Sequence, residues 1–204
     1  MKRSRYFVGG LLLLIGTLLL SESWWKDQLA TWNSQQVTAE IQLKQPETGE
    51  FEFSNVEPLS WKQLLTVRNR FHELPTLGLI SIPDVNLELP ILYGLDNENL
   101  AVGAGTMDPS QHMGTGNYAL AGHYTQSPTA LFGPLHTLDI GMSIYVTDMK
   151  HTFQYEVTSL ETVPPTQVDV LEPTTEPTIT LVTCTFDATE RLIVKGRLVK
   201  QTPL

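Results

Sequence analysis

The chain holds one cysteine in 204 residues, Cys184. A lone thiol cannot close an internal disulfide, which excludes the disulfide-stapled extracellular scaffolds. Basic residues are few: 13 Lys and Arg stand against 22 Asp and Glu, and the net charge of -9 excludes the broad basic face that a nucleic-acid partner requires. Internal repeats are absent, which excludes solenoid and propeller arrays. No histidine pair has zinc-ligand spacing with Cys184, so no metal and no cofactor is expected. Long hydrophobic runs are missing everywhere except at the N-terminus.

That run follows Lys2, Arg3 and Arg5, and residues 6–21 carry no charge. Residues 6–25 reach the roughly 20 needed to span a bilayer, and Trp24 and Trp25 are placed as an interfacial belt. The basic tip predicts a cytoplasmic N-terminus with the remainder outside the cell. A cleaved signal peptide is the competing reading, but Ser21-Glu22-Ser23-Trp24 is a poor cleavage site. The expected organisation is a cytoplasmic tip and single-pass membrane anchor at 1–25, a polar tether or helical stalk at 26–70, and one domain at 71–204.

From residue 77 onward the pattern is β. Short apolar runs are broken by Pro83-Asp84 and Pro90, and further strands are expected at 118–121, 143–147, 152–162, 178–184 and 192–199. Within this region short helices are expected only at 97–102 and 129–138, and an amphipathic helix at 61–65 leads into it. Many short strands with regular turns predict a mainly β fold, either barrel or sandwich.

Three segments carry chemistry: residues 118–123 ending in Gly122-His123, residues 180–184 ending in Cys184, and residues 189–194 containing Arg191. A cysteine with a histidine elsewhere in the chain is a candidate nucleophile–base pair, whereas the bland alternative is a buried core thiol. Strand parity puts His123 on one face with Ala119 and Ala121, Cys184 with Thr180 and Val182, and Arg191 with Ile193. The small neighbours of His123 leave room for a shallow groove that fits an extended peptide.

These segments resemble the class A sortases, and most closely their streptococcal and lactic-acid-bacterial branch. The matching signatures are Leu120-Ala121-Gly122-His123 and Thr180-Leu181-Val182-Thr183-Cys184, followed by Arg191. Ile80-Ser81-Ile82-Pro83, Gly103-Ala104-Gly105-Thr106-Met107 and Gly116-Asn117-Tyr118 also match. The resemblance implies a closed β-barrel of about eight strands with short helices. It also implies a membrane-anchored cysteine transpeptidase that cuts a Leu-Pro-x-Thr-Gly sorting signal between Thr and Gly. The acyl group is then passed to an amine of lipid II or of a peptidoglycan cross-bridge. Cys184 would be the nucleophile, His123 the general acid and then base, and Arg191 the stabiliser of the oxyanion or substrate backbone.

The loop at 165–171 matches the family's loop over the Leu-Pro end of the signal. It makes Val168, Val170 and Leu171 the expected apolar wall, with Ala121, Val182 and Thr183 as further substrate contacts. Relatives that bind calcium do so through several carboxylates, a set that Asp96, Glu98 and Glu172 do not reproduce. His72, His112, His136 and His151 have no motif context and are expected to be structural or exposed. Arg197 shares strand parity with Arg191 and is its one rival. Gln45-Pro46-Glu47-Thr48-Gly49-Glu50 is close to a sorting signal and is either a pseudosubstrate or a coincidence within a polar linker.

Two other readings remain. A pilin-polymerising sortase is expected to carry a lid and a second anchor, which the end of this sequence lacks. A membrane-tethered β-domain that binds wall polymer or peptide without catalysis would leave Cys184 dispensable. Chain order argues against a papain-like protease, because His123 precedes Cys184.

Overall fold

The computed structural model describes residues 2–41, 43 and 48–204, and residues 45–47 of the signal-like segment lie outside them. Eight strands close into a barrel in the order β1-β2-β3-β4-β7-β8-β6-β5, with β5 paired back onto β1. They are β1 Thr76–Ile82, β2 Leu87–Leu92, β3 Ala104–Thr106, β4 Asn117–Ala121, β5 Ser143–Thr147, β6 His151–Val163, β7 Thr178–Cys184 and β8 Arg191–Pro203. The pairs β2/β3 and β4/β7 are parallel and the rest antiparallel.

Alternation sets the inside of the barrel. Ile80 and Ile82 of β1, Ile144 and Val146 of β5, Leu120 of β4, and Ile179 and Leu181 of β7 are all buried in one core. Pro90 was expected to break a strand, yet β2 runs through it. The proline pairs with Leu79 of β1 on one side, and β3 begins pairing only at Ile91, so the missing N–H costs no ladder bond there. The helix expected at 129–138 is a 3-10 helix, Gly133–Thr137, entered through a turn in which Leu131 has φ 45° and the Thr125 hydroxyl donates to Ala130 O at 2.7 Å. The turn and Pro134 leave no room for a longer helix.

The N-terminal region differs more. Four α-helices are described: α1 Lys2–Leu20, α2 Glu22–Ala39, α3 Trp61–Arg68 and α4 Asn97–Leu100. The transmembrane helix expected across residues 6–25 is divided at Ser21, and no helix among the described residues is long and apolar enough to cross a membrane. The Ser21 hydroxyl donates to Leu18 O and accepts from Trp25 Nε1, so the change of helix is tied by its own side chain.

The segment expected as a tether instead packs onto the barrel. Ala30 and Val37 of α2, and Leu64 and Val67 of α3, are buried in the barrel core cluster. Asn33 donates from Nδ2 to Leu64 O at 2.9 Å and locks the two helices together. α3 starts at a capping box, in which Ser60 Oγ accepts from Gln63 N and Gln63 Oε1 accepts from Ser60 N. The composition concealed this packing because the buried faces mix Ala30, Val37, Leu64 and Val67 with the polar Asn33, Ser34 and Gln63.

Candidate active site

The site is built where β4, β7 and β8 end together. Ala121 pairs with Val182, and the next N–H, that of Gly122, donates to Val182 O at 3.1 Å. The Thr183 hydroxyl donates back to Gly122 O at 2.9 Å. His123 therefore leaves the end of β4 beside Cys184, the last residue of β7. Cys184 in turn pairs with Arg191, the first residue of β8. Glycine is required at 122 because a Cβ there would stand 2.6 Å from the Phe132 ring.

Parity then turns one face of these strands outward from the barrel. Ala121, Val182 and Ile193 join Val163, Val170, Leu95 and Leu100 in a second apolar cluster. A groove of about 740 Å³ runs over this cluster and is lined by His123, Cys184 and Arg191 together. Val168, Val170 and Leu171, from the loop expected to form its wall, line it as well. Asn117 holds that loop, donating from Nδ2 to Val170 O and Glu172 O while its Oδ1 accepts from Thr180 Oγ1 at 2.7 Å. Ala121, expected as a substrate contact, is buried in the cluster beneath the groove and does not line it, and Thr183 stands apart. It is almost fully buried, its hydroxyl is committed to Gly122 O, and it does not line the groove.

The three polar groups differ in setting. His123 is buried, and desolvation pushes its pKa down to about 4, so the imidazole is neutral at physiological pH. Its Nε2 has no hydrogen-bond partner among the described residues. Arg191 donates from Nη1 to Glu190 O at 2.9 Å and to Ala188 O at 3.2 Å, which fixes the guanidinium against the β7–β8 turn, while its Nε is buried and unpartnered among the described residues. Cys184 is half-buried and free. Arg197 pairs across the strands with Thr178 and bonds Glu156 Oε1 at 2.9 Å, which places it away from Cys184.

Several residues at the groove had no motif to reveal them. His136 bonds Cys184 O through Nε2 at 3.2 Å and packs edge-on against Tyr124, which also meets the exposed Phe186. The chain ahead of α3 crosses the groove, where Phe53 and Val56 pack on the second apolar cluster and Glu52, Glu57, Pro58 and Leu59 add to the lining. The Phe53 ring lies under Arg191. Tyr124 had the one usable signal, its position directly after His123; the others are distant in sequence and meet only through the fold. Among the described residues no group of three or more His, Cys, Asp or Glu is gathered as a metal site.

The sortase domain family model matches residues 80–199. Sortase A of Streptococcus agalactiae is 43% identical over 157 residues, covering 74% of this chain; the match spans only 64% of that relative's length. Sortase A of Listeria monocytogenes is 32% identical over 202 residues, covering 95% of this chain and 91% of the relative. The solved Listeria monocytogenes sortase A structure matches with a TM-score of 0.62 and 38% identity, over 63% of this chain and 90% of that one. The barrel, the ends of β4, β7 and β8, and these similarities agree: the chain belongs to the sortase family, in its class A group of cysteine transpeptidases.

Proposed function

We propose that this protein cleaves a Leu-Pro-x-Thr-Gly-type sorting signal between Thr and Gly and joins the new carboxyl end to a cell-wall amine, acting through a thioester on Cys184. The observation that carries this reading is the meeting of His123, Cys184 and Arg191 on one groove with an apolar floor. The floor and the loop around Val170 suit the Leu-Pro end of an extended peptide. The strand ends suit its Thr-Gly bond.

The order of proton movements follows from the neutral state of His123. Cys184 gives its proton to His123 as the sulfur attacks the Thr carbonyl carbon. The oxyanion that forms is met by the fixed positive charge of Arg191. Collapse breaks the C–N bond, the His123 imidazolium gives the proton to the leaving glycine amine, and the acyl group stays on sulfur. An incoming amine then attacks the thioester, loses a proton to neutral His123, and the thiol is restored. The cysteine and histidine act as a coupled pair throughout.

The exposed side chains of Leu11–Leu14, Ile15 and Leu18–Leu20 on α1 support a membrane anchor, with the basic N-terminus on the cytoplasmic side and the barrel on the wall side. The acceptor would then be a lipid II or cross-bridge amine.

Mass spectrometry of the full chain in detergent with a Leu-Pro-x-Thr-Gly peptide, with and without oligoglycine or alanyl-alanine, tests the reading. The expected result is an adduct on Cys184 equal to the peptide's acyl part, a ligated product when amine is added, and neither in Cys184→Ala. Intact peptide across a panel of sorting signals would return weight to a binding module.

A further inference from the structure

All four tryptophans of the chain lie on the two helices just after α1: Trp24, Trp25 and Trp32 on α2, and Trp61 on α3. None serves the core. Each is between 37% and 55% exposed, and Leu65 of α3 is 50% exposed beside them. The opposite faces are the buried ones, with Ala30, Asn33, Ser34 and Val37 on α2 and Gln63, Leu64 and Val67 on α3. The indoles therefore share the outer side of a helix pair whose inner side is fixed to the barrel.

Two of the four indole N–H groups have partners on the protein. Trp25 Nε1 donates to Ser21 Oγ at 3.1 Å and Trp61 Nε1 to Glu22 Oε1 at 3.2 Å, which leaves the ring faces outward. Cations sit among the rings: Lys26 stands 6.0 Å from the Trp61 centroid and Arg68 5.3 Å from that of Trp32, with Lys62 exposed nearby. Glu22, bridged to Lys26 at 2.7 Å, is the carboxylate at the Trp61 end. Rings mixed with lysine and arginine, on a chain of net charge -9, suit the headgroup layer of an anionic bilayer. The face also continues the α1 surface, since Leu18 and Leu19 line one hollow with Glu22, Trp25 and Trp61.

We propose that this tryptophan face of α2 and α3 is a second lipid contact, seated in the headgroup region beside the α1 anchor. This rests on the membrane-anchored reading above. Because Asn33 ties α2 to α3, and Ala30, Val37, Leu64 and Val67 of the two helices are buried in the barrel core cluster, the seating fixes the orientation of the groove over the bilayer. A chain held by α1 alone would leave that orientation free.

The tryptophans are their own reporters. Full-length chains keeping only Trp32 or only Trp61, the other three replaced by Phe, are reconstituted in phosphatidylcholine–phosphatidylglycerol vesicles. Part of the phosphatidylcholine is brominated along its acyl chains. The expected result is a blue-shifted emission for both chains and a loss of intensity in brominated relative to unbrominated vesicles. Lys62→Glu with Arg68→Glu should weaken that quenching in the otherwise native four-tryptophan chain without releasing it from the vesicles. Vesicle-bound chains whose Trp32 and Trp61 are not quenched would overturn the second contact and leave the anchor standing. Failure to float with the vesicles would overturn the anchor and this proposal with it. Shielding of Trp61 from acrylamide without bromine quenching would assign the face to a second copy of the chain instead.

Discussion

The Arg191 guanidinium carbon stands 5.4 Å from the centroid of the Phe53 ring, and both residues line the groove that holds Cys184. A residue from ahead of the barrel thus covers the positive charge proposed to meet the oxyanion. Phe53 also packs with Val56 on the apolar cluster whose Val182 and Ile193 form the groove floor. A peptide using that floor has to displace the ring.

Phe53→Ala should therefore favour the substrate. An exposed cation–π contact contributes about 0.5–1 kcal/mol, so KM for a sorting-signal peptide should fall roughly two- to fivefold while kcat stays within about twofold. Steady-state kinetics on the full chain read this directly. A raised KM would mean that Phe53 is a wall of the peptide site and not a cover.

His136 is expected to act by position. Its Nε2 bonds Cys184 O, a side-chain tie on the backbone of the proposed nucleophile. A net hydrogen bond is worth about 0.5–1.5 kcal/mol, so His136→Ala should lower kcat by about two- to tenfold with KM little changed, and His136→Gln should restore part of it. Equal loss in both variants would assign the effect to the Tyr124 ring contact.

The pH dependence of stability follows from His123. Burial holds its folded pKa near 4, below the ordinary 6.5. Between those values the unfolded chain binds a proton that the folded chain does not, so stability falls as pH drops through this window. The difference corresponds to about 3 kcal/mol once pH is below the folded value. Urea midpoints at pH 7.5 and pH 4.5 should separate accordingly, and His123→Asn should shrink the separation. A midpoint unchanged by that substitution would mean other groups govern the acid limb.

Arg191→Lys tests the fork rather than the charge. Lysine keeps a cation but lacks the planar guanidinium that donates to both Ala188 O and Glu190 O and so holds its place. The expected loss is about 10²–10³ in kcat, the scale of removing one oxyanion donor. Activity within a few-fold of wild type would limit the role of Arg191 to general electrostatics.

The barrel and the meeting of strand ends were legible because both rest on short-range patterns. Residues 143–147 alternate cleanly and residues 178–184 form a short β-branched and apolar run, and in both the predicted and observed limits coincide. Parity along β4, β7 and β8 placed Ala121 and Val182 on the outward face. The same parity rule puts Thr183 on the other side, where its hydroxyl holds Gly122 O. Phe53 and His136 were hidden for a different reason. Each reaches the groove across a long sequence separation, and neither neighbourhood repeats a pattern. The α2 region read as a polar tether or helical stalk, and α3 as a helix leading into the domain, without their packing on the barrel, because the residues that hold them, Ala30, Val37, Leu64 and Val67, are few and widely spaced.

That packing makes a final, stringent prediction about where the folded unit begins. Leu64 is fully buried, lies in the same cluster as the barrel core, and its carbonyl accepts from Asn33. If α2 and α3 are part of the cooperative unit, Leu64→Ala should cost about 2–5 kcal/mol, as other buried leucine truncations do. The backbone bond to Asn33 survives the substitution, so the loss reads side-chain packing alone. Urea unfolding followed by circular dichroism and by tryptophan emission gives two probes, and the second is informative because every indole sits on α2 or α3. Coincident transitions, shifted together by the substitution, mean that the barrel and both helices unfold as one. An early loss of tryptophan signal with an unshifted barrel transition would instead make the helices a separable layer, and the folded unit would then start at β1.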